Sequence, residues 1–467
     1  MKSYDIIVLG VGSAGSRAAN TAHQAGKSVL GIDGGERLGG LCILRGCMPT
    51  KTLLETAHRL HEIRVAEPFG IQVGEPQVDF EAMMDRMRSL VERFRNAKVN
   101  AIKSAGYELR RGTARFLDPH HIELDGEKIH GKAFILCTGS KVRPIPVPVE
   151  EGADVRTSDD LFKLLEVPSR VVVLGAGAVG LEFAQWLARI GCKVLLGNRS
   201  PLLRRKDPEM GEELKDALCE EMEVLAPARI EEILKGEDGG ARVRFELHDG
   251  KERLVDCDFV LDALGRIPNY EGLGLEAAGL RLKGERLASN DFLQTEVPHI
   301  FVAGDTTGTR LILHDANLEG QRAARNAIRV IEGEEGLQGP DPRIPPFDVI
   351  FSDPPFASVG KSWIDLDQEG ILFREATKFF PKQGRGICMG VRHGFMRLLA
   401  NPQTGKVLGC QILGPRADDL IHVPMAVIAM GGSVHDMLRF PWYHPTLAES
   451  FVEVARELSG QCGGQKE

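Results

Sequence analysis

Two stretches of the chain repeat one alternation of apolar and polar positions. "YDIIVLGVGSAGSRAANTAHQAGKSVLGID" (residues 4–33) runs as an apolar strand, a glycine-rich turn, a helical stretch, a second apolar strand and an acid. "SRVVVLGAGAVGLEFAQWLARIGCKVLLGNRS" (169–200) follows the same plan through its second strand. Continuous apolar runs read as strands buried on both faces, and their alternation with helices predicts parallel sheets. Apolar runs at 133–144 and 260–269 close the first and second of these units. The run at 299–308 is a further buried strand ending in Gly304–Asp305, with a helix after it.

Elsewhere the pattern changes. Helical spacing extends from Pro49 to about Ala105, with turn breaks near residues 67–76, and residues 108–129 alternate as β-hairpins do. The charged segment 204–222 reads as a solvated helix face. Past the proline-rich break at 339–347, strands at 348–360, 371–380, 386–400 and 406–413 predict an antiparallel sheet, and helices follow from 417. Pro424 is expected to kink one of them, and "GQCGGQKE" at the end reads as a loose tail. The fold class is α/β: two Rossmann-like dinucleotide-binding domains and a C-terminal α+β domain.

Both turns carry GxGxxG, at Gly10, Gly12 and Gly15 and again at Gly175, Gly177 and Gly180. Such glycines permit the sharp turn and let the backbone approach a pyrophosphate seated on the helix N-terminus. One copy is a weak signal; two, each between a strand and a helix, predict two dinucleotide sites. Asp33 stands where an acid accepts the hydroxyl hydrogens of an adenosine ribose.

Composition narrows the class. The 467 residues are 43% hydrophobic and 27% charged, with 53 glycines and a net charge of −8. The acidic balance, with no long basic run, argues against nucleic acid as a partner. No apolar run is long enough to span a bilayer: the best, Val171 to Ala188, is broken by Gly175, Gly177, Gly180 and Glu182. The N-terminus enters a strand directly, without a signal or transit pattern, so a cytoplasmic location is expected. Nine cysteines form no secreted framework, and without a CxxC or HxxxH pair no metal site is expected.

Only Cys42 and Cys47, in "GGLCILRGCMPTK" (39–51), lie close together. Pro49 suits the first turn of a helix, which puts Cys47 at or just before its start. The amide groups and dipole there favour a thiolate. Lys51 follows on the same face one turn on. A cysteine pair beside a dinucleotide site and a lysine implies a disulfide passing electrons to a flavin.

With GGxCxxxGCxPxK, two GxGxxG turns, CTGS, GRxPN, AGD and a terminal HPTxxE in order, the chain resembles the FAD-dependent pyridine nucleotide–disulfide oxidoreductases over essentially its whole length. The resemblance implies an FAD-binding domain (1–150), an NAD(P)-binding domain (151–272), a central domain completing the FAD site (273–342) and an interface domain (343–467) of a homodimer. It implies that Cys42 exchanges with the substrate sulfur, that Cys47 lies against the flavin, and that Lys51 pairs with Glu182 beside it. Ala114, Thr138, Gly139, Ser140, Asp305, Leu311 and His314 are then further FAD contacts, and Gly265, Asn198 and Arg199 join the NAD(P) site. His444, oriented by Glu449, is the acid–base from the neighbouring subunit; imidazole titrates in the range that suits a thiol.

Within the family, "LILHDA" around His314 resembles the dihydrolipoamide dehydrogenases, whereas "CILRGC" resembles some glutathione reductases. Mercuric reductases carry a terminal cysteine pair and lack the HPTxxE histidine, unlike this chain. The expectation is oxidation of a dihydrolipoyl group on a separate carrier protein. An NADPH-driven, glutathione-reductase-like enzyme and an idle flavoprotein subunit are the alternatives. Leu41 replaces the family's usual threonine, and Trp442 and Tyr443 are bulky where small residues are usual, which points to a reshaped substrate channel. The second strand ends in "LLGNRS", with Gly197 taken at the place of the NAD-type acid. Arg199 and Arg204 suit a 2′-phosphate, while Asn198 suits a ribose, and NAD is placed slightly ahead of NADP.

Overall fold

The computed structural model describes residues 1–237 and 239–463. The chain divides into two compact units, the first made of Met1–Thr52, Met84–Pro144 and Gly265–Pro340 and the second of Leu53–Met83, Ile145–Leu264 and the chain from Asp341 on.

In the first unit a seven-stranded sheet is built around Lys2–Leu9, which pairs in parallel with Val29–Asp33 on one side and Glu127–Leu136 on the other. Ile6, Ile7, Val8 and Leu9 are all buried, as expected for a strand covered on both faces. Ile300–Val302 adds in parallel to Glu127–Leu136, which brings the residues after Val302 to the end of the sheet that carries Gly10. The hairpins foreseen at 108–129 are in part different. Glu108–Arg111 is a parallel edge strand beside Val29–Asp33, and only Arg115–Asp118, His121–Leu124 and Glu127–Leu136 run antiparallel.

Helices Ser13–Gln24 and Leu313–Glu332 pack on each other through small residues: Ala14, Ala18 and Ala22 from one, Ala316, Ala323 and Ala327 from the other, all buried. A Cβ at Gly320 would stand 2.2 Å from the Ala14 carbonyl oxygen. The contact therefore depends on the missing side chain.

Among its described residues the second unit holds three sheets. A five-stranded parallel sheet is ordered Glu223–Leu225, Lys193–Gly197, Arg170–Leu174, Phe259–Asp262, Val155–Thr157. An antiparallel three-stranded sheet, Ala228–Lys235, Ala241–Leu247 and Glu252–Cys257, shares its apolar cluster, with Phe245 fully buried. The third sheet is antiparallel and follows the order Phe347–Ile350, Phe356–Gly360, Val407–Leu413, Phe395–Ala400, Arg374–Phe379.

Two sequence expectations are corrected here. The strand foreseen at 386–400 is only Phe395–Ala400, because Gly384–Cys388 is a short helix capped by the Gln383 side chain. Pro424 falls where its helix is interrupted: Ala417–Leu420 and His422–Ala429 are separated only by Ile421, itself in right-handed helical conformation, and Pro424 has no N–H to donate to the Leu420 carbonyl one turn back. Part of the foreseen tail is ordered, since Ser450–Gln461 is helical and Cys462 is buried; residues 464–467 lie outside the described residues. No helix among the described residues is long and apolar enough to cross a membrane.

Candidate functional site

The first glycine turn is shaped by close backbone approach. Gly10 has φ +92°, and a Cβ on it would lie 2.2 Å from the Cys137 carbonyl oxygen; one on Gly15 would lie 1.7 Å from the Gly10 carbonyl oxygen. Gly12 caps helix Ser13–Gln24 with no side-chain hydrogen bond, which leaves the first-turn N–H groups available to an anion. Asp33 ends the neighbouring strand; its Oδ2 accepts the Val11 N–H (3.1 Å), and its Oδ1 pairs with Arg111 (3.1 Å). A side-chain-free cradle, open helix amides and a strand-end acid together fit the pyrophosphate and ribose of FAD.

Around it the foreseen residues converge in part. Thr138 Oγ1 donates to the Asn269 carbonyl (2.5 Å), Gly139 N–H to Thr306 Oγ1 (2.9 Å), and Ser140 Oγ to Asp305 Oδ2 (2.7 Å). Ala114 is buried in an apolar cluster with Phe116 and Ile32, so its side chain belongs to the core. Leu311 is exposed, and His314 lies 3.6 Å from Asp315.

Two charged residues here escaped the sequence reading. Glu319 Oε2 accepts the Gly304 N–H (2.8 Å), and burial pushes its carboxyl up to about 7. Its signal was an acid on the small-residue face of its helix, between Ala316 and Ala323. Lys98 donates to Ser16 Oγ (2.6 Å), and burial lowers its proton affinity while Cys42 raises it.

Cys42 lies in the short helix Leu41–Arg45, and Cys47 opens helix Cys47–Arg64, as Pro49 had suggested. Gly46 lies between them; a Cβ there would stand 3.1 Å from Cys42 Cα. A hydrogen bond to Cys47, then burial, then the charge of Cys47 push the Cys42 thiol far up, while Lys51 pulls it down. Cys42 therefore holds its proton more tightly than an ordinary thiol. Buried Cys192 and Cys257 are pushed up to about 12 by desolvation and are inert thiols by comparison.

The second turn repeats the first. Gly175 has φ +100°, a Cβ on Gly180 would lie 1.8 Å from the Gly175 carbonyl oxygen, and Gly177 caps helix Ala178–Arg189 without a side-chain bond. Glu182, 2% exposed, accepts the Phe351 N–H through Oε1 (3.1 Å). Gly265 has φ +119° and belongs to the first unit.

One register assignment is corrected. In the first turn Gly10 N–H donates to the Ile32 carbonyl and Val11 N–H to the Asp33 side chain. In the second, Gly175 N–H donates to the Gly197 carbonyl and Ala176 N–H to Asn198 Oδ1 (3.1 Å). Asn198, not Gly197, is thus the counterpart of Asp33. Gly197 faces the core, where a Cβ would lie 2.6 Å from the Phe245 ring. Beyond Asn198, a cavity of about 640 Å³ is lined by Ala176, Gly177, Asn198, Arg199, Arg204 and Arg205, among others.

Near the C-terminus, His444 Nδ1 lies 2.8 Å from Glu449 Oε1, and Glu449 Oε2 accepts the Thr446 N–H (2.9 Å). The Thr446 amide, followed by His444, holds the Glu449 carboxyl below the usual range. An ionised carboxylate only accepts, so Nδ1 carries hydrogen and Nε2 is the basic nitrogen of the neutral ring. Gln383 braces this turn by donating to the Thr446 carbonyl (2.8 Å), and the His444–Pro445 bond is cis.

Comparison with known proteins gives the family. Residues 4–329 match the pyridine nucleotide-disulphide oxidoreductase family, and residues 346–455 match its dimerisation domain. A dihydrolipoyl dehydrogenase from Thermus scotoductus is 33% identical, with 99% of each chain covered. A mercuric reductase from Bacillus cereus is 31% identical over 96% of this chain and 70% of its own. In fold, the HOCl-induced flavoprotein disulfide reductase RclA from Escherichia coli superposes with a TM-score of 0.83 at 24% identity, covering 97% of this chain and 99% of its own. The chain belongs to the pyridine nucleotide-disulphide oxidoreductases and is a flavin disulfide oxidoreductase, of a family that uses FAD with NAD(H) or NADP(H).

Proposed function

We propose that the enzyme oxidises a dihydrolipoyl group on a separate carrier protein and delivers the electrons to a pyridine nucleotide. The observation that carries this reading is the His444–Glu449 pair, which leaves a basic Nε2 for a thiol proton. The full-length likeness to a dihydrolipoyl dehydrogenase supports it.

In the oxidised enzyme Cys42 and Cys47 form a disulfide. His444, contributed by the neighbouring subunit, takes a proton from one substrate thiol at Nε2. The resulting thiolate attacks Cys42 Sγ, forms a mixed disulfide and expels Cys47 as a thiolate. The second substrate thiol then attacks the first substrate sulfur; the bond from that sulfur to Cys42 breaks, the lipoyl ring closes, and the proton of the second thiol passes to Cys42, which leaves as a thiol while His444 keeps the first proton. Two electrons then reside on the cysteine pair; Cys47 opens a helix whose N-terminus favours a thiolate, with Lys51 one turn on. FAD, when bound, supplies the two-electron route from this dithiol to the nicotinamide. The first glycine turn, Asp33, Thr138–Ser140 and Asp305 would hold it. The dimerisation-domain match supports a homodimer.

A second reading, NADPH-driven reduction of a small disulfide, is favoured by the arginine-lined cavity beyond Asn198. Anaerobic addition of dihydrolipoamide, with the flavin spectrum followed, tests the first. Bleaching by the dithiol and recovery on adding NAD⁺ or NADP⁺ supports it. A flavin untouched by the dithiol, but reduced by NADPH and reoxidised by glutathione disulfide, overturns it in favour of the second.

A further inference from the structure

We propose that the loop from Asn198 to Arg205 is a 2′-phosphate site, and that the pyridine nucleotide of this enzyme is NADP(H). The inference rests on the pyridine-nucleotide part of the reading above and is independent of the dithiol substrate.

The two glycine turns provide an internal comparison. Each has its second amide capped by the side chain that ends the neighbouring strand, Asp33 in one and Asn198 in the other. A carboxylate at this place accepts the hydroxyl hydrogens of a ribose and repels a 2′-phosphate. Asn198 carries no charge to repel a phosphate. Its oxygen is engaged by Ala176 N–H, and its amide nitrogen donates to the Ser200 carbonyl (2.6 Å). No acid can be supplied one residue earlier, because the Phe245 ring, fully buried, occupies the space a side chain on Gly197 would need.

The charges around the two turns differ as sharply. Beside the first, Arg111 is paired with Asp33. Beside the second, Arg199, Arg204 and Arg205 line the cavity and form no ion pair among the described residues. The adjacent Lys206 is engaged by Asp348 (2.5 Å). Three uncompensated guanidinium groups around a neutral strand end form a receptor for a dianion.

The loop is also held in place. Leu202 is 1% exposed, and Asp207 caps helix Pro208–Cys219 while accepting from Arg397 (2.7 Å). An anchored loop loses little freedom on binding. The sequence had assigned residues 204–222 to one solvated helix face; the structure starts the helix at Pro208 and leaves the arginines in the loop ahead of it.

Calorimetric titration of the full chain with its flavin tests the proposal, using adenosine 2′,5′-bisphosphate and AMP as probes. The bisphosphate is expected to bind about 100-fold more tightly at low salt, with the advantage shrinking as salt rises. Arg199→Ala and Arg204→Ala, both exposed positions, should each cost the bisphosphate roughly tenfold or more and leave AMP unchanged. Asn198→Asp should keep the Ala176 cap and abolish the preference. Equal binding of the two probes, or a preference that survives both arginine variants, overturns the proposal. A protein inert to dihydrolipoamide that still prefers the bisphosphate upholds it while the substrate reading fails.

Discussion

His444 Nδ1 and Glu449 Oε1 stand 2.8 Å apart, and the second oxygen of the same carboxylate is fixed by the Thr446 amide. The carboxylate is thus anchored to the backbone before it orients the ring. Glu449→Gln should keep the Thr446 contact but lose the carboxylate oxygen that orients the His444 ring, and slow dithiol oxidation about tenfold. His444→Gln should slow it about 100-fold or more. Hydride exchange between two pyridine nucleotides, measured in the same preparations, should stay near the native rate. Equal loss in both assays would assign the pair a structural role.

The roles proposed for the two cysteines give a spectroscopic prediction. In the two-electron-reduced enzyme the Cys47 thiolate should give long-wavelength absorption against the flavin. Cys47→Ser should remove that band. Cys42→Ser should retain it without any reductant, because the variant cannot close the disulfide and keeps the sulfur proposed to face the flavin at a helix N-terminus. A band that survives in Cys47→Ser would reverse the two roles.

The paired glycine turns should respond separately to the same small change. Gly15→Ala puts a methyl group 1.7 Å from a carbonyl oxygen of the first turn and should yield protein depleted of flavin, read from the flavin-to-protein absorbance ratio. Gly180→Ala meets the same obstacle at 1.8 Å in the second turn. It should yield yellow protein whose affinity for pyridine nucleotide has fallen about 100-fold or more, on the order of 3 kcal/mol.

Glu319 predicts a pH dependence of stability. Its carboxyl is raised from 4.5 to about 7 by burial, so between those values the folded chain holds a proton that the unfolded chain has lost. Its contribution to stability therefore falls as pH rises from about 4.5 to about 7 and is level above. Glu319→Gln keeps an acceptor for Gly304 and should be more stable than the native protein at pH ~8, by a few kcal/mol. The two urea midpoints should converge near pH ~5. Parallel curves across that range would refute the assignment.

What the chain disclosed beforehand follows the reach of each interaction. The glycine turns, the cysteine pair and the HPTxxE turn are legible because their chemistry is local, set by residues within a few positions of each other. Gly197 and Asn198 were confused by one place because the apolar run does not mark where the strand ends. Only the Gly175–Gly197 hydrogen bond fixes that register. Glu319 and Lys98 were missed because their burial arises from partners far away in sequence: Gly304 on a separate segment, and Ser16 on the first helix.

The shared capping arrangement at Val11 and Ala176 carries a last implication. The turn asks only for an oxygen at that point and accepts it from an acid or an amide alike. Scaffold and selectivity are therefore uncoupled at one atom, so the nitrogen of Asn198 can be exchanged for oxygen without rebuilding the architecture. A lineage carrying this fold can move between coenzyme pools by altering side chains on one exposed loop, with its redox chemistry left in place.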